Sequence, residues 1–169
     1  IDIGWYWMTG GNVLNGPPQN GSFKYGCLRV ERRGGYITQT AIINDILAMR
    51  GSNDGGATWG IWQHVNPGMQ LGQEYPTTER WNGAVVFTKL VDFGALPNTT
   101  SKTVGHGISG LDRPISIVVS AKKDNWSFTL PSSYENETMV LFNAQGIEIK
   151  TNVDRSEYSA QALLKYTKL

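Results

Sequence analysis

Short alternating runs of apolar and polar residues dominate the chain and predict an all-β fold. The runs are rich in β-branched and aromatic residues, and glycine, proline, asparagine or aspartate bounds most of them, as is typical of strands joined by turns. The run IEIKT alternates strictly, which is the pattern of a strand with one exposed face. The candidate strands are 23–31, 36–43, 59–64, 84–91, 115–121, 138–143, 147–151 and 161–166.

One window, IINDILAMR at 42–50, is also compatible with a helix. A glycine pair lies shortly before it and GSNDGG follows it directly, so it fits a strand that runs into a loop equally well. The pattern leaves both structures open.

The composition changes at 66–80, NPGMQLGQEYPTTER, which has two prolines, two glycines and no apolar periodicity. Such a segment is typical of a linker between domains. Before it the chain is rich in tryptophan and glycine, and after it in valine, isoleucine and threonine. We therefore predict a small N-terminal β-domain at 1–67, a linker at 68–80 and a C-terminal domain at 81–169.

Charge and composition argue against several classes of partner. Of the 169 residues 17% are charged, the net charge is +1, and the longest basic cluster is Arg32-Arg33. Capture of nucleic acid or of an anionic membrane surface needs a basic face, and membrane insertion needs a long apolar run, so we expect neither. The chain starts with Ile1 and has no signal-peptide pattern, so we expect a piece of a longer polypeptide.

Four tryptophans lie in the N-terminal domain: Trp5, Trp7, Trp59 and Trp62. A two-residue period puts Trp5 and Trp7 on one face of a strand. Small β-domains bury indoles around a thin core, and we adopt that interpretation; the alternative is an exposed platform on which sugar rings stack.

An ordered series of features runs through the N-terminal domain. A Gly-aromatic start is followed by an Asn-x-Pro turn, a Gly-x-Leu-x-Val strand, a Gln-containing strand, an arginine, a Gly-rich turn and a Trp-x-x-Trp close. These are Gly4 to Tyr6, Asn15-Gly16-Pro17, Gly26 to Val30, Tyr36 to Thr40, Arg50, and Trp59 to Trp62. In this order they resemble the knob domain of R-type pyocin fibres and phage tail fibres.

The C-terminal domain carries a second series of motifs. They are FGALPNTTSKTVGHGI at 93–108, PISIVVSA at 114–121, TLP at 129–131 and IEIKTNVDRSEYSAQALLKYTK at 147–168. Together they resemble a C-terminal module of phage tail fibres and related receptor-binding proteins, over nearly the whole domain.

The resemblance implies an all-β chain, with a small knob-like β-domain followed by a β-sandwich-like head, in a homotrimeric fibre of the virion. It implies adsorption to a bacterial cell-surface polysaccharide, a lipopolysaccharide or an outer-membrane protein. It implies neither catalysis nor a cofactor. Two alternatives stay open: a fragment of a tail spike that degrades polysaccharide, and a structural cap on a fibre whose receptor site lies elsewhere.

The segment 122–137, KKDNWSFTLPSSYENE, departs from the family in length and aromatic content. Loops carry recognition more often than strands, and a sugar site needs an exposed aromatic face with amide, hydroxyl or carboxylate partners. We predict that this segment is a loop that binds the receptor through Lys123, Asp124, Asn125, Trp126 and Tyr134.

The histidines do not support a metal site. Zinc sites need clustered histidines and cysteines, whereas His64, His106 and the one cysteine, Cys27, lie far apart in sequence. Three copies of His106 could meet on a trimer axis, and 51–56 and 151–157 carry calcium-type ligands without the full loop pattern. We predict no metal site and a framework role for His106.

Two catalytic arrangements have weak support. Ser109, His106 and Asp112 are close in sequence, but a catalytic triad converges from separate segments and HGISGLD lacks the nucleophile motif.

An acid pair for glycoside hydrolysis would need Asp124 to face Glu135 or Glu137 across a sugar. A chain with 14 acidic residues offers many such pairs, so we predict no catalytic residues.

Overall fold

The computed structural model describes residues 2–9, 25–43, 46–65, 67–131 and 138–169. Every regular element in these ranges is a β-strand, which confirms the predicted all-β fold. Alternating β-branched and polar side chains favour strands because they suit a sheet with one buried face. Within the same ranges, no helix is long and apolar enough to span a membrane.

The chain divides into two compact units. Unit 1 comprises residues 1–68 and 75–79, and unit 2 comprises residues 69–74 and 80–169. Each unit has its own cluster of buried apolar residues.

Unit 1 is built on a sheet whose spatial order follows the order of the chain. Its strands are β1 (Gly4–Thr9), β2 (Tyr25–Arg33), β3 (Tyr36–Ile43), β4 (Ile46–Ser52), β5 (Gln63–His64) and the unit 1 part of β6 (Glu74–Trp81). Neighbours from β1 to β5 are antiparallel, and β5 pairs with β6 in parallel. Consecutive antiparallel strands of this kind need only short connections.

The window with two open interpretations forms part of a β-hairpin, so the strand interpretation is confirmed. β3 ends at Ile43 and β4 begins at Ile46, and these two residues are paired. Ala41 pairs with Ala48 two pairs further along, and both are fully buried, so β3 and β4 follow the two-residue period of strands. The small core of unit 1 comprises Met8, Ala41, Ile43, Ala48 and Trp62.

The tryptophans of unit 1 have two different environments. Trp62 is buried and Trp59 is half-buried, so the predicted core role is confirmed for Trp62. Trp5 is 63% exposed and Trp7 is 82% exposed, so the prediction is wrong for these two. Alternate side chains of a strand point to opposite faces, and it is Met8 of β1 that faces the core.

Strand β6 lies in the segment predicted as a linker. Tyr75 and Thr77 are buried on one face of it, and the Tyr75 hydroxyl donates a hydrogen bond to the Gly68 carbonyl at 2.9 Å. Pro76 separates the two buried side chains, and proline in a run counts against a strand in a sequence pattern. The buried face is therefore visible only in the structure.

Unit 2 contains two antiparallel sheets. Its further strands are β7 (Ala84–Ala95), β8 (Ser101–Val104), β9 (Leu111–Lys123), β10 (Trp126–Leu130), β11 (Thr138–Phe142), β12 (Ile147–Thr151) and β13 (Ser159–Lys168). One sheet has the order β7-β13-β9-β10, and the other has the order β11-β12-β8.

The two sheets of unit 2 share one hydrophobic core, which confirms the predicted β-sandwich-like head. Ile147 and Ile149 of β12 are fully buried on one face of the smaller sheet. Ala162, Leu164 and Tyr166 of β13 are fully buried on one face of the larger sheet. Burial thus alternates along both strands, as expected for two sheets that cover each other on one side only.

The segment that leads into β6 belongs to unit 2. The Gly72 amide donates to the Leu90 carbonyl at 2.7 Å. The Glu74 carboxylate accepts hydrogen bonds from the Tyr166 hydroxyl at 2.5 Å and from the Lys168 ammonium at 2.7 Å. Burial and the Glu74 carboxylate raise the pKa of Tyr166 well above its usual range, so the phenol stays a donor.

Candidate functional site

The segment predicted as the receptor-binding loop is largely a hairpin. β9 continues to Lys123 and β10 starts at Trp126, and these two residues are paired across a turn of only Asp124 and Asn125. The prediction of a loop throughout 122–137 is therefore wrong for its first half, while 132–137, with Tyr134, lies outside the described residues. The hairpin holds four of the five predicted contact residues together.

The turn itself is tightly defined. Asp124 has a φ of 51°, in the left-handed region that short polar side chains tolerate better than β-branched ones. A two-residue connection of this kind fits the right-handed twist of antiparallel strands. The side chains of Asp124 and Asn125 are exposed at the tip.

Trp126 is 77% exposed, which is unusual for the largest apolar side chain. The two-residue period places Trp126, Phe128 and Leu130 on the same face of β10. Leu130 is buried and Phe128 is half-buried, so the core ends before Trp126. The indole therefore projects beyond the edge of the core beside the turn.

Lys123 is engaged within the chain. Its ammonium forms an ion pair with Glu157 and lies 5.9 Å from the ring centre of Tyr158. Tyr158 packs edge-on against Phe128, with ring centres 5.1 Å apart. Lys123 thus helps to attach the hairpin to the segment before β13, and it is less available to a ligand than the sequence suggests.

A polar depression on the larger sheet of unit 2 was not predicted from the sequence. It has a volume of about 420 Å³ and is lined by Asp92, Ser120, Lys122, Ser159, Ala160 and Gln161. These residues come from β7, β9 and β13, so no local motif contains them. Only the strand register brings them together.

The register of β13 explains the depression. Gln161 lies opposite Asp92 on one side and Ser120 on the other. The β7–β13 register shifts between Ala160 and Gln161, and Gly94 on β7 has a φ of 68°. Bulges of this kind change the direction of side chains and are common next to binding sites.

The lining groups of the depression suit a hydroxyl-rich ligand. Ser120, Lys122 and Gln161 make no side-chain hydrogen bond to another described residue. Asp92 accepts one hydrogen bond from the Gly94 amide at 2.9 Å and has a second carboxylate oxygen. The cluster combines donors and acceptors, which sugar hydroxyls require.

His106 is buried and has a partner at each ring nitrogen. Nε2 lies 3.1 Å from the Asn143 carbonyl oxygen, and Nδ1 accepts a hydrogen bond from the Ile108 amide at 3.0 Å. This pattern assigns the proton to Nε2, because a carbonyl can only accept. The ring also packs edge-on against Phe142. The predicted framework role of His106 is confirmed.

Ser109, His106 and Asp112 do not form a triad. The Asp112 carboxylate accepts a hydrogen bond from the Thr167 hydroxyl at 2.8 Å, and both nitrogens of His106 bond to backbone groups. The hydrogen-bond chain of a triad, from Ser109 through His106 to Asp112, is therefore not formed by these three residues.

The acid-pair hypothesis for Asp124 concerns Glu135 and Glu137, and both glutamates lie outside the described residues.

The two segments with calcium-type ligands are turns closed by their own carboxylates. Asp54 accepts hydrogen bonds from the Thr58 amide at 3.0 Å and from the Ser52 hydroxyl at 2.7 Å, and Asp154 accepts from Ser156. Hydrogen bonds from Thr58 lower the pKa of Asp54, and hydrogen bonds from Ser156 lower the pKa of Asp154. Among the described residues, no three His, Cys, Asp or Glu side chains form a group suited to a metal ion.

Several residues of the N-terminal motif series meet in one cluster in unit 1. The Arg50 guanidinium lies 4.6 Å from the ring centre of Trp59 and 4.5 Å from that of Trp62. Its Nε donates a hydrogen bond to the Gln39 amide oxygen at 2.8 Å. Gln39 is buried, so these motif residues form a structural cluster rather than an exposed platform.

Comparisons with known proteins give two similar structures. No family model matches the chain, and no curated protein matches it. The chain is similar to the P. aeruginosa R1 pyocin fibre, with 12% identity, a TM-score of 0.28, and coverage of 97% of this chain and 63% of that fragment. It is also similar to an N-truncated R2-type pyocin tail fibre, with 9% identity, a TM-score of 0.29, and coverage of 99% of this chain and 92% of the other.

Both similar structures are tail fibres of the class that the sequence motifs resemble. At 12% and 9% identity and TM-scores below 0.3, these similarities carry no conclusion about the role of this chain.

Proposed function

We propose that this chain is a receptor-binding C-terminal part of a phage tail fibre, or of a phage-tail-like bacteriocin fibre. It adsorbs without catalysis to a glycan of the bacterial surface, with lipopolysaccharide as one such glycan and an outer-membrane protein as the alternative receptor. The observation that carries the proposal is the exposure of Trp126, at 77%, beside the polar turn of Asp124 and Asn125. The place of action is the tail fibre of the particle.

The chemistry of the hairpin tip fits a sugar. An exposed indole offers a flat apolar face for the C–H groups of a pyranose ring, while a carboxylate and an amide beside it bind hydroxyl groups. Trp126, Asp124 and Asn125 supply these three elements within a rigid two-residue turn. A preorganised turn loses little conformational entropy on binding.

The Trp126→Ala variant should adsorb at least about tenfold more weakly, a loss of about 1.4 kcal/mol, because the stacking face is gone. The measurement is depletion of the purified protein by cells of a strain to which the wild type adsorbs. Trp81→Ala is the matched control, since Trp81 is another exposed tryptophan of unit 2 outside the hairpin, and it should adsorb normally.

Normal adsorption by Trp126→Ala would contradict this choice of site. Purified surface polysaccharide from the same strain separates binding from turnover: intact polysaccharide after incubation agrees with the proposal. Release of new reducing ends would instead favour the polysaccharide-degrading alternative.

We also propose that the chain assembles as a homotrimer. The outward face of the unit 1 sheet carries a cross-strand row of Trp7, Cys27, Ile42 and Leu47, with Trp5 in the next row. Trp5, Trp7 and Ile42 are exposed, and a contiguous exposed apolar patch marks an interaction surface. Burial of this patch between copies of the chain would add to the stability that the small cores of the two units provide. Three copies of one weak binding site would also bind a surface with higher avidity than one copy.

Sedimentation equilibrium should give three times the mass of one chain. Trp7→Asp should shift the distribution towards monomer, because a buried unpaired carboxylate opposes association. A wild-type monomer at all concentrations would contradict this part of the proposal and its avidity argument.

A further inference from the structure

A second depression lies in unit 1, where the start of β3 meets the end of β4. Its volume is about 440 Å³, and its lining residues include Tyr36, Thr38, Gly51, Asn53 and Thr58. Tyr36 and Thr38 come from β3, and the remaining residues come from the end of β4 and the loop after it. Several of these residues belong to the N-terminal motif series, but that series did not predict a depression.

The floor of the depression is bare backbone. Gly60 donates its amide to the Gly51 carbonyl at 2.9 Å, which places two residues without side chains next to each other. Peptide groups there are accessible because no Cβ covers them. Any larger residue at either position would occupy part of the space.

The walls of the depression are held in place by local hydrogen bonds. The Asp54 carboxylate closes the loop from Ser52 to Thr58 by accepting from both of these residues. The Gly55 amide donates to the Gly35 carbonyl at 2.8 Å and ties this loop to the turn before β3. The ligand-facing groups are therefore preorganised.

The lining side chains are uncharged and have unused hydrogen-bonding groups. Tyr36, one of the lining residues, is 71% exposed. The Tyr36 hydroxyl, the Thr38 hydroxyl and the Asn53 amide make no side-chain hydrogen bond to another described residue. An aromatic face, an amide and hydroxyl groups, without a lining charge, are the recognition elements of a neutral sugar.

We infer that this depression is a carbohydrate-binding site for one neutral hexopyranose residue. Tyr36 stacks on the apolar face of the ring, Asn53 and Thr38 bind its hydroxyl groups, and the Gly51–Gly60 backbone forms the floor. The inference goes beyond the proposed function, because the site lies in the other unit and uses none of the hairpin residues.

The test is a titration of the ¹⁵N-labelled chain with three probes: glucose, galactose and N-acetylglucosamine. At least one probe should shift the backbone amides of Gly51, Asn53 and Gly60. Tyr36→Ala should weaken that binding at least about tenfold, and Tyr36→Phe should retain most of it because the ring remains. Asn53→Ala should weaken it by a smaller factor.

Two controls distinguish this site from the hairpin and from general aromatic stickiness. Tyr6→Ala removes another exposed aromatic side chain of unit 1, outside both the depression and the apolar row proposed for trimerisation, and it should bind the probe normally. Trp126→Ala should also bind the probe normally, even where it loses adsorption to cells.

Several outcomes would overturn the inference. They are the absence of shifts at the depression with all three probes, unchanged binding by a folded Tyr36→Ala, and an equal loss in Tyr6→Ala. Probe binding lost in Trp126→Ala but kept in Tyr36→Ala would overturn it too, while leaving the proposed function of the hairpin intact.

Discussion

The Arg50→Ala variant is expected to lose about 2–4 kcal/mol of the free energy of unfolding of unit 1. The guanidinium lies between the rings of Trp59 and Trp62, at 4.6 and 4.5 Å, and both cation–π contacts disappear with it. Its hydrogen bond to Gln39 disappears as well. Gln39 is only 3% exposed, so its amide oxygen would lose a buried partner.

Hydrogen exchange followed by mass spectrometry measures this loss separately for each unit. Peptides from β3 and β4 should exchange faster, while peptides from β13 should be unchanged. Arg32→Ala is the matched control: Arg32 is exposed and its Nε donates to the Gly34 carbonyl at 3.0 Å, so its loss should change stability by less than about 0.5 kcal/mol. Equal effects of the two substitutions would contradict a special role for the Arg50 cluster.

The Leu164→Ala variant should lose about 2–5 kcal/mol of the free energy of unfolding of unit 2. Leu164 is fully buried in the middle of β13, which pairs with β7 on one side and with β9 on the other. Removal of its branched end leaves a cavity, and β7 and β9 cannot readily move to fill it because both are hydrogen-bonded to β13. The larger sheet should therefore be destabilised as a whole.

Leu163→Ala is the control for Leu164→Ala. Leu163 precedes Leu164 on the same strand, points to the opposite face and is half-buried, so its loss should be clearly smaller. Urea unfolding of both variants, with exchange of the β13 amides as the local readout, makes the comparison. A loss at Leu163 as large as that at Leu164 would mean that both faces of β13 are covered.

Prediction from the sequence succeeded where a strand alternates by itself. YITQTAII at 36–43 and IEIKT at 147–151 have the predicted bounds. In each of them the buried residues alternate with more exposed ones within the segment itself, so the pattern is visible in the sequence. β6, β8 and β10 were missed as strands, and of the predicted strand 59–64 only Gln63–His64 forms one. In β10 only Phe128 and Leu130 face the core, and two side chains do not make a recognisable period.

The candidate site was predicted only as far as its features depend on neighbouring residues in the chain. Trp126 stood out because a tryptophan beside turn residues is hard to place in a core, and its exposure agrees with that reasoning. The engagement of Lys123 with Glu157 could not be predicted, because the two residues are far apart in the chain and meet only through the packing of β9 beside β13.

The sequence by itself determined the all-β class and most of the strands, because these depend on local periodicity. It also determined the framework character of His106, because no metal-ligating or catalytic residue lies at a suitable spacing from it in the chain. The tertiary structure decided which distant residues meet. The strand register places Gln161 between Asp92 and Ser120, and the packing of unit 1 places Arg50 between two indoles. Register and packing are set by the burial of whole sheets, which no short window of the chain contains.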